Sequence, residues 1–192
     1  MFIREIGGRS PRMMVPKKRG GSHRRSYAHL PDDLLPVEDP VTKESVRRVP
    51  GGLRSRDVQV DRLVAIGPGA VPRFLKRFES VYSQLGKSAA FIATAASHHR
   101  LLKIHPFLNG NERVARRMSH AVLLQTLDTG AVWSVARGLA RQVDRYKSHL
   151  AACDLGRRND LDGRGNLSEE SLLAFSLFFL RTASTKSRSW KN

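Results

Sequence analysis

Between His105 and Asn111 the chain carries a proline, a glycine and two asparagines, within the stretch HPFLNGNERVARR. Pro106 disfavours the α conformation at His105, so a helix arriving from the N-terminal side has to end there. Asn109 and Gly110 tolerate the backbone angles of a tight turn. A second helix can then open near Asn111, with its unpaired N–H groups facing the loop and His105. Any fold of this chain has to accommodate two helices joined by this break.

The flanking pattern agrees. Pro72 suits a first helical turn, and Phe74, Leu75, Phe78, Val81, Tyr82 and Leu85 recur at three- and four-residue spacing up to Gly86. A second, alanine-rich helix runs from about Ser88 to Ile104 and belongs in the core. A third carries Val114, Met118, Ala121, Val122 and Gln125 on one stripe, with Gly130 as a left-handed cap. Leu139, Val143, Tyr146 and Leu150 define a fourth, and Ser168 can cap a last one whose first turn holds Glu169 and Glu170. Ahead of the helices, Gly51-Gly52 between two β-branched runs predicts a hairpin over residues 45–60. A further extended piece, 57–66, ends at Gly67-Pro68-Gly69. The fold class is therefore mainly α, a helical bundle with a small β-hairpin. A chain of 192 residues supports one such core, taken here as residues 31–183.

Charge sharpens the boundaries. The formal net charge is +17, but residues 1–30 hold eight Lys/Arg against one Glu, and 181–192 add four more without an acid. Residues 1–30 read as a basic segment that is disordered or ordered only by a partner, and 184–192 as a basic tail. Basic ends explain most of the excess without a nucleic-acid partner. The longest apolar run, Leu172 to Leu180, is too short to cross a membrane, and the N-terminal residues have no apolar centre of a secretory signal. One cysteine, Cys153, excludes an internal disulfide and fits a reducing, cytoplasmic setting.

Chemistry concentrates at the break. A helix N-terminus with a glycine lead-in binds anions. Arg113 and Arg116 lie on one face within a turn of that end, and guanidinium forks match phosphate oxygens. A neutral histidine beside a bound phosphate can take the proton of an incoming hydroxyl. Spacing alone also admits a plain linker, with His105 a cap, Phe107 a core anchor and Arg116 and Arg117 on a solvated face. Elsewhere, His98 and His99 are adjacent and point to different helix faces, which favours packing over ligation. Asp160, Asp162 and Gly165 outline a calcium-like loop, but Arg164 and Ser171 stand at ligand positions, so a turn and cap is the better reading.

The string HPFLNGNERVAR resembles the signature of the Fic family, written H-x-F-x-[D/E]-G-N-[G/K]-R-x-x-R. His105, Phe107, Gly110, Asn111, Arg113 and Arg116 fall on its positions. The similarity extends over residues 30–180, through AAFIATAASHHRLLKI, MSHAVLLQTLDTG and DLDGRGNLSEE, toward a bacterial subgroup. It implies a helical Fic fold whose β-hairpin flap, within Asp57 to Gly67, clamps a target segment by strand addition. It also implies transfer of AMP from ATP, with Mg²⁺ on the phosphates, to a Ser, Thr or Tyr hydroxyl of a protein. On this resemblance His105 would be the general base and Phe107 the loop's anchor in the core. Gly110 and Asn111 would help form the anion nest, Arg113 would hold donor phosphates and Arg116 the terminal phosphate.

Two letters depart from that signature. Asn109 stands where the family has a metal-binding acid, and an amide lacks the charge that makes carboxylates the usual Mg²⁺ ligands. Glu112 replaces a small glycine. A carboxylate about 4 Å from a phosphate charge is repelled by roughly 1 kcal/mol in water, and about 4 at the effective dielectric of a protein surface. The family's inhibitory pattern [S/T]-x-x-x-E-[G/N] has no match, so restraint would come from a partner chain or from Glu112 itself. Three readings follow: a weakened AMP transferase, a non-catalytic Fic-fold binding module, and a basic nucleic-acid binder. The third ranks last, because no helix-turn-helix exposes a basic recognition face.

Overall fold

The computed structural model describes residues 36–38, 45–47, 49–60, 63–127, 135–163 and 165–184. The expectations for residues 1–30, for Gly130 and for the tail beyond Ser184 lie outside these.

Two short antiparallel pairs precede the helices. Strand β1 (Pro36–Glu38) pairs with β2 (Ser45–Arg47), and β3 (Gln59–Val60) pairs with β4 (Leu63–Val64). The hairpin expected across Gly51-Gly52 is not what forms. Gly51, at φ 83°, and the Gly52 N–H to Val49 carbonyl bond of 2.9 Å make a local turn. The strands on either side of it find other partners: β2 pairs upstream and β3 folds onto β4. β-Branched enrichment marks strands but does not choose between them.

Six α-helices follow among the described residues: α1 (Val71–Tyr82), α2 (Lys87–Ile104), α3 (Asn111–Thr126), α4 (Val135–Ala140), α5 (Val143–Cys153) and α6 (Glu169–Ser184). Helix α2 is the axis, packing against α1, α3 and α6. Its small residues Ala90, Thr94, Ala95 and Ser97 are all buried and let neighbours approach closely. One core cluster gathers Phe78, Leu101, Ile104, Phe107, Val114 and Met118 under the loop after α2. A second gathers Leu139, Tyr146, Phe175 and Phe179 where α5 and α6 close over α2. Among the described residues no helix is long and apolar enough to cross a membrane.

Two helices differ from the expected pattern. On α3 the buried stripe includes Ala115, Ser119 and Leu123, whereas Ala121 and Gln125 are half-buried, because the helix is clasped between both clusters. The expected fourth helix is broken at Arg141-Gln142. Gln142, at φ −129°, turns its side chain to Thr182 (3.4 Å) and accepts a bond from Arg145 (3.0 Å). The last helix is capped as its sequence suggests: the Ser171 N–H donates to Ser168 Oγ at 3.1 Å. Asp162 braces that cap, accepting from Ser168 Oγ (3.1 Å) and the Glu170 N–H (3.0 Å). Its oxygens therefore serve the turn.

Candidate phosphate-binding site

His105 ends α2. It is the sole non-glycine residue with positive φ among those described (φ 49°, ψ 60°), and its N–H still reaches the Leu101 carbonyl at 3.0 Å. Pro106 closes the right-handed α region to it, and the left-handed region costs about 1–2 kcal/mol for a residue with a Cβ. That conformation is braced from a distance. Arg54, only 5% exposed, donates from Nε to the His105 carbonyl at 2.7 Å, and its backbone N–H donates to the Pro106 carbonyl at 3.0 Å. The same guanidinium donates to the Arg56 carbonyl at 2.8 Å and to the Ile66 carbonyl. One arginine thus ties the histidine's loop to both sides of the β3–β4 hairpin.

The loop closes on itself through Asn111. Its Oδ1 accepts the Phe107 N–H at 3.0 Å, and its Nδ2 donates to the Phe107 carbonyl at 2.8 Å. Asn111 is 3% exposed, so its amide is committed to the loop and only its backbone N–H can serve an anion. Phe107 is buried beneath, worth about 1.5–3 kcal/mol in transfer free energy. Gly110 then takes φ 79°, ψ 11° as the N-cap of α3 and supplies no side chain to its first N–H groups.

These pieces border one cavity of about 500 Å³. His105, Asn109, Gly110, Asn111, Glu112, Arg113 and Arg116 line it on the helical side, and Asp57, Val58, Gln59 and Val60 of the hairpin on the other. Of the signature residues singled out between His105 and Arg116, Phe107 lies beneath the loop and the rest border this cavity. Burial chiefly, helped by the Arg54 charge, lowers the His105 pKa below 6.5; a hydrogen bond to Leu102 and the charge of Glu112 oppose this. The imidazole is thus neutral at pH 7 and able to accept a proton. Arg54 escaped the sequence reading, since nothing in GGLRSRD distinguishes it from the neighbouring Arg56.

Glu112 does not face solvent alone. Its Oε2 lies 2.6 Å from a terminal nitrogen of Arg116, one helical turn on, with the two side chains 50% and 31% exposed. One edge of Arg116 is therefore occupied by a carboxylate from its own helix. Asn109 offers an exposed neutral amide, and no group of three His, Cys, Asp or Glu among the described residues could hold a metal. This donor set does not fit a Mg²⁺ held by the protein itself.

His98 and His99 pack as expected. His98 Nδ1 lies 2.9 Å from Ser119 Oγ and its Nε2 lies 2.8 Å from the Tyr146 hydroxyl. His99 lies 3.4 Å from Asp154, which also pairs with Lys103 at 3.0 Å.

Residues 29–123 match the Fic/DOC family. Over 77 residues the chain is 34% identical to Protein adenylyltransferase Fic of Drosophila willistoni; the match covers 39% of this chain and 16% of the fly protein. The chain thus spans a small part of that relative. A crystallised Fic domain containing signaling protein from Bacteroides thetaiotaomicron aligns over 69% of this chain and 52% of its own, with 22% identity and a TM-score of 0.47.

Proposed function

This chain belongs to the Fic/DOC family through residues 29–123, and on that premise we propose that its cavity transfers AMP from ATP to a hydroxyl of a target protein. The carrying observation is one of assembly: His105, the glycine-led N-terminus of α3 and Arg113 and Arg116 border a single cavity beneath the β3–β4 hairpin. In this reading the ATP phosphates lie on the first N–H groups of α3 and on Arg113. The target's Ser, Thr or Tyr hydroxyl gives its proton to neutral His105 as its oxygen bonds to the α-phosphorus. The bond from that phosphorus to the bridging oxygen breaks, and pyrophosphate leaves along Arg116. The edge of β3 would hold the target segment by strand addition. Asn109 would face any Mg²⁺ arriving with the phosphates, as a neutral amide. The setting is the cytoplasm, where ATP is at hand.

The Glu112–Arg116 pair favours a second reading, a Fic-fold module that binds a partner and has lost catalysis. Labelled ATP with MgCl₂ separates the two. Self-modification that disappears in His105→Ala supports the transferase. No labelling in the wild type, restored by Glu112→Gly with Asn109→Asp, supports the module.

A further inference from the structure

A second cavity, of about 450 Å³, lies between α5 and α6 and shares no residue with the one at His105. The two helices run antiparallel: Gln142 bonds Thr182 at one end, and the Cys153 thiol reaches the Ser171 carbonyl (3.4 Å) at the other. Gln142, Arg145 and His149 fall at i, i+3 and i+7. With Leu177, Phe178 and Arg181 of α6 they line a groove two helical turns long, about 10 Å.

The floor of the groove is aromatic and its sides carry cations. Phe178 is buried at the base. His149 lies against that ring, 4.8 Å between centroids at an interplanar angle of 25°, and the Arg145 guanidinium sits 5.4 Å from the ring centre. Arg145 is also held from the side: its Nη1 donates to Gln142 Oε1 at 3.0 Å, and Gln142 Nε2 donates to Thr182 Oγ1 at 3.4 Å. A guanidinium has five N–H donors, so the Gln142 bond leaves most of the fork for a ligand. Its position is set before anything binds, which lowers the entropic cost of using it. No Asp or Glu is among the described residues lining the groove, whereas Arg145 and Arg181 both are.

The rim adds an apolar ridge. Leu177 is 56% exposed, and Leu173, one turn earlier on α6, is 58% exposed. A free phosphate or a nucleic-acid backbone would engage the arginines and leave these leucines in water. A protein segment can cover both, and arginine beside aromatic and aliphatic groups is the composition of protein interfaces. A second copy of this chain would bring its own α5 arginines and the same formal charge of +17 against this face. We propose that the α5–α6 groove docks an acidic, leucine-bearing segment of a partner protein, with carboxylates on Arg145 and Arg181 and an aliphatic side chain against Leu177. This docking is independent of the chemistry at His105.

Fluorescence anisotropy on the full chain tests it, at physiological ionic strength, where screening suppresses attraction to net charge alone. The probe is a fluorescein-labelled peptide with leucine at helical spacing and glutamate between. A second peptide has each leucine replaced by serine, and a single-stranded DNA of matching charge is the third probe. The leucine peptide should bind more tightly than the serine peptide, and Leu177→Ser should cost it about fivefold. Arg145→Glu should weaken it about tenfold more than Lys147→Glu, an equal change of charge on α5 outside the groove. No binding, equal losses in Arg145→Glu and Lys147→Glu, or a serine peptide that binds as tightly as the leucine one overturns the proposal. DNA held more tightly than either peptide, and released by Arg145→Glu, would assign the groove to nucleic acid and also overturn it. If circular dichroism finds Arg145→Glu unfolded, Arg181→Glu, at an exposed position of the same groove, carries the comparison with the same outcomes.

Discussion

Arg116 and Glu112 sit one turn apart on α3 with 2.6 Å between nitrogen and oxygen, at the mouth of the cavity that also contains His105. The signature's second arginine is thus engaged by a carboxylate from inside the signature. In an i,i+4 pair this exposed the attraction is worth only a few tenths of a kcal/mol to the helix. Its consequence lies instead in what the carboxylate does to an arriving phosphate.

Arg54 should matter more than its anonymity suggests. Arg54→Ala strips donors from the His105, Arg56 and Ile66 carbonyls at a buried position. The expected cost is about 2–4 kcal/mol in a urea denaturation midpoint, with a loss of labelling at temperatures where the protein stays folded. Arg54→Lys should recover little, because one ammonium cannot reproduce a fork that serves three directions. Wild-type stability in Arg54→Ala would refute the bracing role.

His105 allows chemistry and backbone to be separated. His105→Ala and His105→Gly should both abolish labelling, yet the glycine variant should be the more stable by about 1 kcal/mol, since φ 49° costs alanine and not glycine. In the wild type, burial lowers this pKa, so the acid limb of the rate should fall below pH 6.5. An acid limb above that value would contradict the neutral-base assignment.

Asn111 is predicted to act on the loop more than on the ligand. Asn111→Asp keeps the acceptor for the Phe107 N–H but loses the donor to its carbonyl, and it buries a charge. A stability loss of about 1–3 kcal/mol is expected, visible as a lower thermal midpoint. If the variant melts like wild type while only nucleotide affinity changes, the amide serves the ligand instead.

Stability should also fall with acid in a particular window. Burial holds His98 at about 3, whereas its unfolded pKa is 6.5, so only the unfolded chain gains this proton between those values. Stability is full above pH 6.5 and declines as pH drops toward 3, by up to about 1.4 kcal/mol per unit from this residue. Asp154, pushed up by burial but held below its ordinary pKa by His99 and Lys103, adds its own loss only at lower pH. Urea unfolding between about pH 7 and 5 measures the slope, and His98→Leu should flatten it. An unchanged slope in that variant would assign the acid sensitivity elsewhere.

The loop was legible in the sequence because its rules are local. Pro106 ends a helix, Gly110 opens the next, and the spacing of Arg113 and Arg116 puts both on one face whatever surrounds them. Register along α3 was less so: Ala115 and Ser119 are buried because α2 and the second cluster cover that side, which no single-helix pattern contains. The strands were found but mispartnered, since pairing depends on where the chain returns. Arg54 was invisible for the same reason: its acceptors lie 51 and 12 residues away, at His105 and Ile66. The Glu112–Arg116 pair is legible too, as an acid four residues ahead of an arginine on one helix.

In the proposed transferase, Glu112 would withhold Arg116 and the α3 N-terminus from the phosphates of ATP. Calorimetry of ATP with Mg²⁺, wild type beside Glu112→Gly, tests it most directly. Removing the carboxylate should tighten ATP about tenfold, the lower end of a repulsion of roughly 1–4 kcal/mol, because the pair is partly solvated. Affinity that stays the same or weakens in Glu112→Gly would contradict the account.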